Sequence, residues 1–371
     1  MEKFCDSPWN HMNINNMGTI KPCCIYTRPK SDPGEQVDIF KWYKHAYNDL
    51  KAEGIDHPGC VACKKMEDSD IVSRRQYTKK PGKGNQIVYL DISFGNTCNL
   101  KCIMCESRNS TKWIADEKYL IANGFNHLER GIVKQYNMPE SRIKQIVNYC
   151  NNFEGEEFHL EVKGGEPFVT DQFLNFLTRL NDNFLKKCNL YVFSNGTGIE
   201  AKYFEQLKKF KRINCNLSIE AVGPLYKYIR GGINHTHTDA IAFMKEFAKN
   251  CPNSRIGVSV TITMYNLFKL KELKAEIDKF INYNLPEKVF SSFSYYPKYL
   301  SPGILPQTVK DELIAYYHEP YWKPLRNYLQ NTESDPYMMR IFKQFTTLLD
   351  RRRNTSLLAY EPKFKEILDA V

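Results

Sequence analysis

From residue 87 onward, short apolar runs of strand length alternate with segments whose apolar residues recur every three or four positions. The runs predict strands at 87–94, 158–163, 190–194, 215–220, 256–263 and 289–296, each rich in β-branched, aromatic or other apolar residues. Between them, Ile143, Ile146, Val147 and Cys150 fall on one helix face. Phe173, Leu174, Leu177 and Leu180 do the same behind a Thr170-Asp171 start. Strand followed repeatedly by helix predicts an α/β fold, a parallel sheet with right-handed crossovers. Residues 110–138 form a long connection, helical around 113–121, and 342–349 and 364–368 read as helices that close the open side or cover a substrate.

Composition narrows the setting. The 371 residues allow a large domain and a small one with ample apolar content for a core. No apolar run is long enough to cross a bilayer and no signal-like apolar region opens the chain, so a cytoplasmic protein with no membrane partner is expected. Of the twelve cysteines, seven fall in two sets with metal-ligand spacing, which favours a reducing compartment over disulfides. The charge of +10 is compatible with nucleic acid, an acidic peptide or nothing specific. Residues 69–86, with Arg74, Arg75, Lys79, Lys80 and Lys83 around Pro81-Gly82 and Gly84, read as a basic linker between a module at 1–68 and a core at 87–297. A helical extension at 298–371 follows.

The chemistry centres on Cys98-Asn99-Leu100-Lys101-Cys102-Ile103-Met104-Cys105, directly after the first core strand. Three thiols in one loop suit a [4Fe–4S] cluster that keeps one iron open to a non-protein ligand. A zinc loop would instead group its cysteines in C-x-x-C pairs and close the site with a fourth protein ligand. This C-x3-C-x2-C loop resembles the cluster motif of the radical S-adenosylmethionine (radical SAM) superfamily. The resemblance implies a partial (β/α)6 barrel, with SAM bound at the open iron and cleaved reductively to a 5'-deoxyadenosyl radical that abstracts a substrate hydrogen. It implies an electron donor such as flavodoxin or ferredoxin as well.

Residues 1–68 offer Cys5, Cys23, Cys60 and Cys63, enough for a four-thiolate cluster or a structural zinc, with Cys24 left over. So small a module has little room for a core and is expected to need a metal staple. Twelve residues separate Cys5 from Gly18 and four separate Gly18 from Cys23, a spacing that resembles the twitch and SPASM auxiliary-cluster domains of radical SAM enzymes. The resemblance implies an auxiliary [4Fe–4S] cluster, here placed before the core. The Asp350-Arg351-Arg352-Arg353 stretch resembles a tail element of proteins with an N-terminal twitch domain; adjacent arginines of this kind can pair with a carboxylate or phosphate.

In parallel α/β folds ligands sit at the carboxyl ends of the strands. There the chain carries Gly164-Gly165-Glu166-Pro167, resembling the superfamily's GGE motif, whose glycines allow close backbone approach and whose carboxylate faces the SAM amino group. Ser194-Asn195-Gly196-Thr197 resembles the ribose-contacting strand end, and it reads equally as an Asn-Gly turn. Ser218-Ile219-Glu220-Ala221 and Tyr228-Ile229-Arg230-Gly231-Gly232 resemble the stretch that holds the methionine carboxylate, with Glu220 in place of the usual Asp. Tyr295 and Tyr296 are candidates for the substrate cavity, and the fifth strand, followed by Asn266, lacks the glycine pattern some members use around adenine and reads as well as a core strand. The leading reading is radical modification of a peptide or small-molecule substrate. Radical chemistry on a nucleotide or RNA is the alternative, and a zinc-stapled nucleic-acid-binding protein is the non-enzyme alternative.

Overall fold

The structure, a computed structural model, describes residues 4–68, 73–77, 86–128, 131–231, 234–279, 290 and 292–370. Lys79, Lys80, Pro81, Gly82, Lys83, Gly84, Gly232 and Val289 lie outside the described residues. Among the described residues, nine strands run in chain order as β1 (His11–Ile14), β2 (Ile20–Lys21), β3 (Tyr89–Ile92), β4 (Phe158–Val162), β5 (Cys188–Ser194), β6 (Arg212–Ser218), β7 (Ser254–Ser259), β8 (Thr261–Ile262) and β9 (Ser292–Phe293). Seven of them form one sheet in the order β2-β1-β3-β4-β5-β6-β7, parallel throughout except for the β1–β2 hairpin. Helices Glu140–Asn151, Asp171–Thr178, Ala201–Leu207 and His237–Asn250 make the crossovers from β3 to β7, as the α/β pattern requires. Thr170 accepts from the Gln172 N–H and starts the second of these, the cap its sequence announced.

Strand alternation sorts the two faces. Leu90, Ile92, Leu160, Val162, Leu190, Val192, Ile213, Cys215 and Leu217 are buried on one face, under the crossover helices. Each such side chain contributes about 1.5–3 kcal/mol relative to exposure. The opposite face is polar along a single register row, Asn13, Asp91, Glu161, Tyr191, Asn214 and Arg255. A closed parallel barrel fills that space with branched apolar layers. Here Tyr191, Phe193, Asn214 and Asn216 are only half-buried.

Two expectations change. The expected strand 256–263 is broken after Ser259, because the Asn266 amide takes the ladder groups beyond it: its Oδ1 accepts from Thr263 N at 2.8 Å and its Nδ2 donates to Thr261 O at 2.9 Å. The remnant β8 pairs in parallel with β9, the described part of the expected sixth strand. The N-terminal segment is also not short of a core. Met12, Ile14, Ile20, Ile39, Phe40, Tyr43, Tyr47 and Leu50 are buried in the main cluster, and the Phe40 ring stacks on Tyr149 of the first crossover helix at 3.8 Å.

Toward the C-terminus, helix Pro336–Arg353 packs Phe345 on Trp113 and Phe125, which follow β3, and on Tyr299, which follows β9. It thus bridges the two ends of the strand series. No helix among the described residues is long and apolar enough to cross a membrane.

Candidate active site

The loop after β3 is fixed by the loops that surround it. Ile103 N donates to Ile229 O at 2.7 Å, and a Cβ on Gly231 would lie 2.5 Å from Lys101 O, so the Tyr228-Ile229-Arg230-Gly231 turn packs directly on the cysteine loop. Glu166 N donates to Thr97 O at 2.9 Å. Gly165, at φ +59°, would place a Cβ 2.3 Å from that same oxygen. The backbone next to Cys98 therefore approaches Gly165 closely. Gly18, at φ +77°, forms the β1–β2 turn under the Tyr136 hydroxyl.

The three thiols of the loop sense one another. Burial pushes Cys98 up to about 12, with Cys102 and Glu166 adding to the effect and Arg230 opposing it. A hydrogen bond joins Cys102 and Cys105, which lowers the first and raises the second. Buried thiols of this kind ionise only against a compensating cation, and a metal supplies one. Arg230 is the nearby fixed charge. It donates from Nη1 to Glu220 at 2.8 Å, both side chains being buried, while its Nε has no partner among the described residues. Glu220, whose longer side chain left its contact open in the sequence, therefore anchors Arg230. The unpaired buried donor fits a carboxylate such as that of SAM.

Glu166 is fully buried, and burial lifts its carboxyl to about 7 against hydrogen bonds from Asn195 N (2.6 Å), Ser194 Oγ (2.8 Å) and Phe168 N. Ser194 is thereby assigned to Glu166. Asn195 reaches the cysteine loop, donating to Asn99 Oδ1 at 3.0 Å and lying 3.8 Å from Cys98 Sγ. Gly164 sits beside Ser93 at φ +84°, and Ser218 ends β6 half-buried. Asn266 is buried and spent on the backbone, including Glu220 O at 3.1 Å. Tyr296 is 76% exposed and Tyr295 51%, so both stand toward solvent.

Cys5, Cys23, Cys60 and Cys63 line one small pocket with Pro22 and Tyr26. Burial raises Cys5, Cys23 and Cys60, Cys60 to about 12, and the thiols of the group add to one another's shifts. Cys24 does not line this pocket, though its thiol adds to the shift of Cys23 and acts also on Lys21, Arg74 and Lys163. Among the described residues, no three His, Cys, Asp or Glu side chains have the spacing for a single bound ion.

Lys163, Asp91 and Glu161 on the polar face escaped sequence reasoning. Lys163 Nζ donates to Asp91 Oδ2 and Glu161 Oε1, both at 2.7 Å, and Tyr89 Oη and Arg74 also donate to Glu161. Burial favours neutral Glu161, but Lys163 and Arg74 outweigh it and hold the carboxyl well below its usual range. The signal was present: Tyr89-Leu90-Asp91-Ile92 and His159-Leu160-Glu161-Val162-Lys163 alternate polar and apolar, whereas strands covered on both faces read as apolar runs. Of the basic segment, Arg74 and Arg75 turn inward, Arg75 onto buried Glu67.

A family model described as the Radical SAM superfamily matches residues 92–280. Among solved structures the chain is similar to anSMEcpe with bound AdoMet, at 16% identity and a TM-score of 0.41, over 67% of this chain and 64% of that one. It is similar to Streptococcus suis SuiB bound to precursor peptide SuiA, at 15% identity and a TM-score of 0.39, over 79% and 54%. For SuiB bound to S-adenosylmethionine the values are 14% and 0.40, over 90% and 71%. The chain thus spans less than two thirds of the length of anSMEcpe. No curated protein matches it.

Proposed function

The chain belongs to the radical SAM superfamily of enzymes, and from that premise we propose that it performs SAM-dependent hydrogen abstraction on a peptide or small polar carbon scaffold. Cys98, Cys102 and Cys105 would hold the SAM-binding [4Fe–4S] cluster. Cys5, Cys23, Cys60 and Cys63 would hold an auxiliary cluster in a twitch-type module at 1–68. When bound, the first cluster and SAM supply a 5'-deoxyadenosyl radical. The protein's part is placement. Glu166, held by Ser194 and the Asn195 N–H, would take the SAM amino group, and Arg230, held by Glu220, would offer its Nε to the methionine carboxylate.

The observation that carries the reading is the meeting of three thiols, buried Cys102 and half-buried Cys98 and Cys105, with Glu166 and Arg230 around one loop. For the substrate class, the polar sheet face matters. Its carboxylates Asp91 and Glu161 are taken up by Lys163 and Arg74, and it also carries Lys21, Arg255 and the amides Asn214 and Asn216. Such a face offers partners to amides, hydroxyls and carboxylates, the groups a peptide or small polar scaffold presents. With Arg74 and Arg75 turned inward, the described part of the basic segment gives an RNA substrate no support.

Anaerobic reconstitution tests this. About eight irons and eight sulfides per chain are expected, with half lost when Cys98, Cys102 and Cys105 are changed together to Ala. Reduced protein should cleave SAM slowly to 5'-deoxyadenosine and methionine. Stoichiometric zinc without inorganic sulfide would overturn the proposal in favour of a zinc-stapled protein.

A further inference from the structure

The arginine run that closes helix Pro336–Arg353 has a destination in the fold. Arg353 is nearly buried, its side chain 7% exposed. Its Nη2 donates to Lys101 O at 2.8 Å, across 252 residues of chain. The guanidinium lies 4.7 Å from the centre of the Trp113 ring, and Trp113 Nε1 donates to Cys102 O at 2.7 Å. Ser110 Oγ donates to Leu100 O. Three successive carbonyls of the cysteine loop, those of Leu100, Lys101 and Cys102, are therefore each held by a side chain, and the middle one by the C-terminal helix.

The same helix end grips the neighbouring elements. Asp116, 2% exposed, receives Arg353 Nε at 2.9 Å and Arg352 Nε at 3.3 Å, with Lys101 Nζ at 3.5 Å. Asp350 accepts from the Tyr228 hydroxyl at 2.9 Å and from Leu357 N at 2.8 Å, and Asn354 turns the chain at φ +51°. One helical turn thus ties the helix that follows the cysteine loop to the helix that ends in Arg230. A buried guanidinium making bonds on three sides fixes geometry in a way a lysine cannot.

We propose that Arg353 is a positioning residue for the cluster loop. It orders Lys101 and Cys102 before a cluster is assembled, and its fixed positive charge, one peptide from Cys102, raises the reduction potential of that cluster. The potential half rests on the assignment of Cys98, Cys102 and Cys105 as cluster ligands; the ordering half does not.

The test compares Arg353→Gln and Arg353→Lys with Arg351→Gln, a change at an exposed position of the same turn. In cluster-free full-length protein, amide hydrogen exchange at 98–105 should quicken about tenfold or more in Arg353→Gln, the loss of one charge-assisted hydrogen bond. Arg351→Gln should leave it unchanged, and Arg353→Lys should fall between. In reconstituted protein, an EPR-monitored redox titration should show a lower midpoint for the SAM-binding cluster in Arg353→Gln, largely recovered in Arg353→Lys, with the second cluster as internal reference. Equal exchange in wild type and Arg353→Gln would overturn the ordering role. A loosened loop with an unmoved midpoint would overturn the electrostatic one. If wild-type protein assembles no cluster at these cysteines, the ligand assignment fails while the exchange result still decides the clamp.

Discussion

Replacing Gly165 by alanine separates two costs that a second glycine lets one tell apart. Gly165 and Gly223 share nearly the same backbone, φ +59° and +58°, so an alanine at either pays a similar left-handed penalty of about 1–2 kcal/mol. At Gly223 a Cβ meets nothing within 4 Å. At Gly165 it would lie 2.3 Å from Thr97 O and 3.0 Å from Thr97 C, backbone atoms that cannot rotate away. The two loops must part by about 0.7 Å to reach even the 3.0 Å limit for such contacts. That movement stretches the Glu166 N to Thr97 O hydrogen bond and displaces the residue before Cys98. Overpacking of this kind adds about 1–3 kcal/mol. Urea denaturation of cluster-free protein should therefore place Gly165→Ala well below Gly223→Ala in midpoint with little change in slope. Iron and sulfide after reconstitution should drop in Gly165→Ala alone. Equal midpoints and equal iron in the two variants would refute the argument that loop-to-loop contact is what this glycine permits.

Three further outcomes are expected. Cys24→Ala should keep full iron while Cys23→Ala loses iron from the second site, because only Cys23 lines the cavity with Cys5, Cys60 and Cys63; iron analysis and Mössbauer spectra read this. The buried Glu166 carboxyl, lifted from 4.5 to about 7, makes the cluster-free fold take up a proton, so its contribution is most favourable below about 4.5 and is lost as pH rises through 7. Between pH 5 and 8 wild type should lose up to about 3 kcal/mol of unfolding free energy relative to Glu166→Gln, and parallel pH profiles of the two would contradict it. Glu220→Ala should leave Arg230 buried without its partner and cost about 3–5 kcal/mol, whereas calorimetric melting within a degree of wild type would show the pair to be dispensable.

What could be read from the sequence was what local pattern encodes. Strand runs with intervening helical periodicity placed β3 to β7, and Thr170-Asp171 marked a true helix start. Of the cysteines that spacing picked out, Cys5, Cys23, Cys60 and Cys63 line one pocket that Cys24 does not. What escaped was long-range. His11–Ile14 is four residues long, and its pairing with β3, Asn13 beside Asp91, spans 78 residues with no local mark. The Arg353 contact with Lys101 was equally invisible: the arginine run suggested a carboxylate partner, but nothing local pointed to Asp116 or to the carbonyl of Lys101. Gly165 shows a third kind of limit: sequence reveals that a residue must be small, but not what presses against it.

The position of β1 in the sheet bears on how the protein is made. During synthesis β1 and β2 precede β3, and a two-stranded hairpin is at best marginally stable alone. The partner of β1 in the sheet, β3, follows only after residue 88, so the hairpin must wait for it, the nearby cysteines unshielded. Conversely, the β1–β2 hairpin covers the β3 flank of the sheet. A shortened protein starting near residue 86 would bare the backbone of β3 together with Leu90 and Ile92, an open edge of the sort that recruits other chains, and should collect in inclusion bodies. The N-terminal segment is in this sense an edge guard as well as a cysteine carrier.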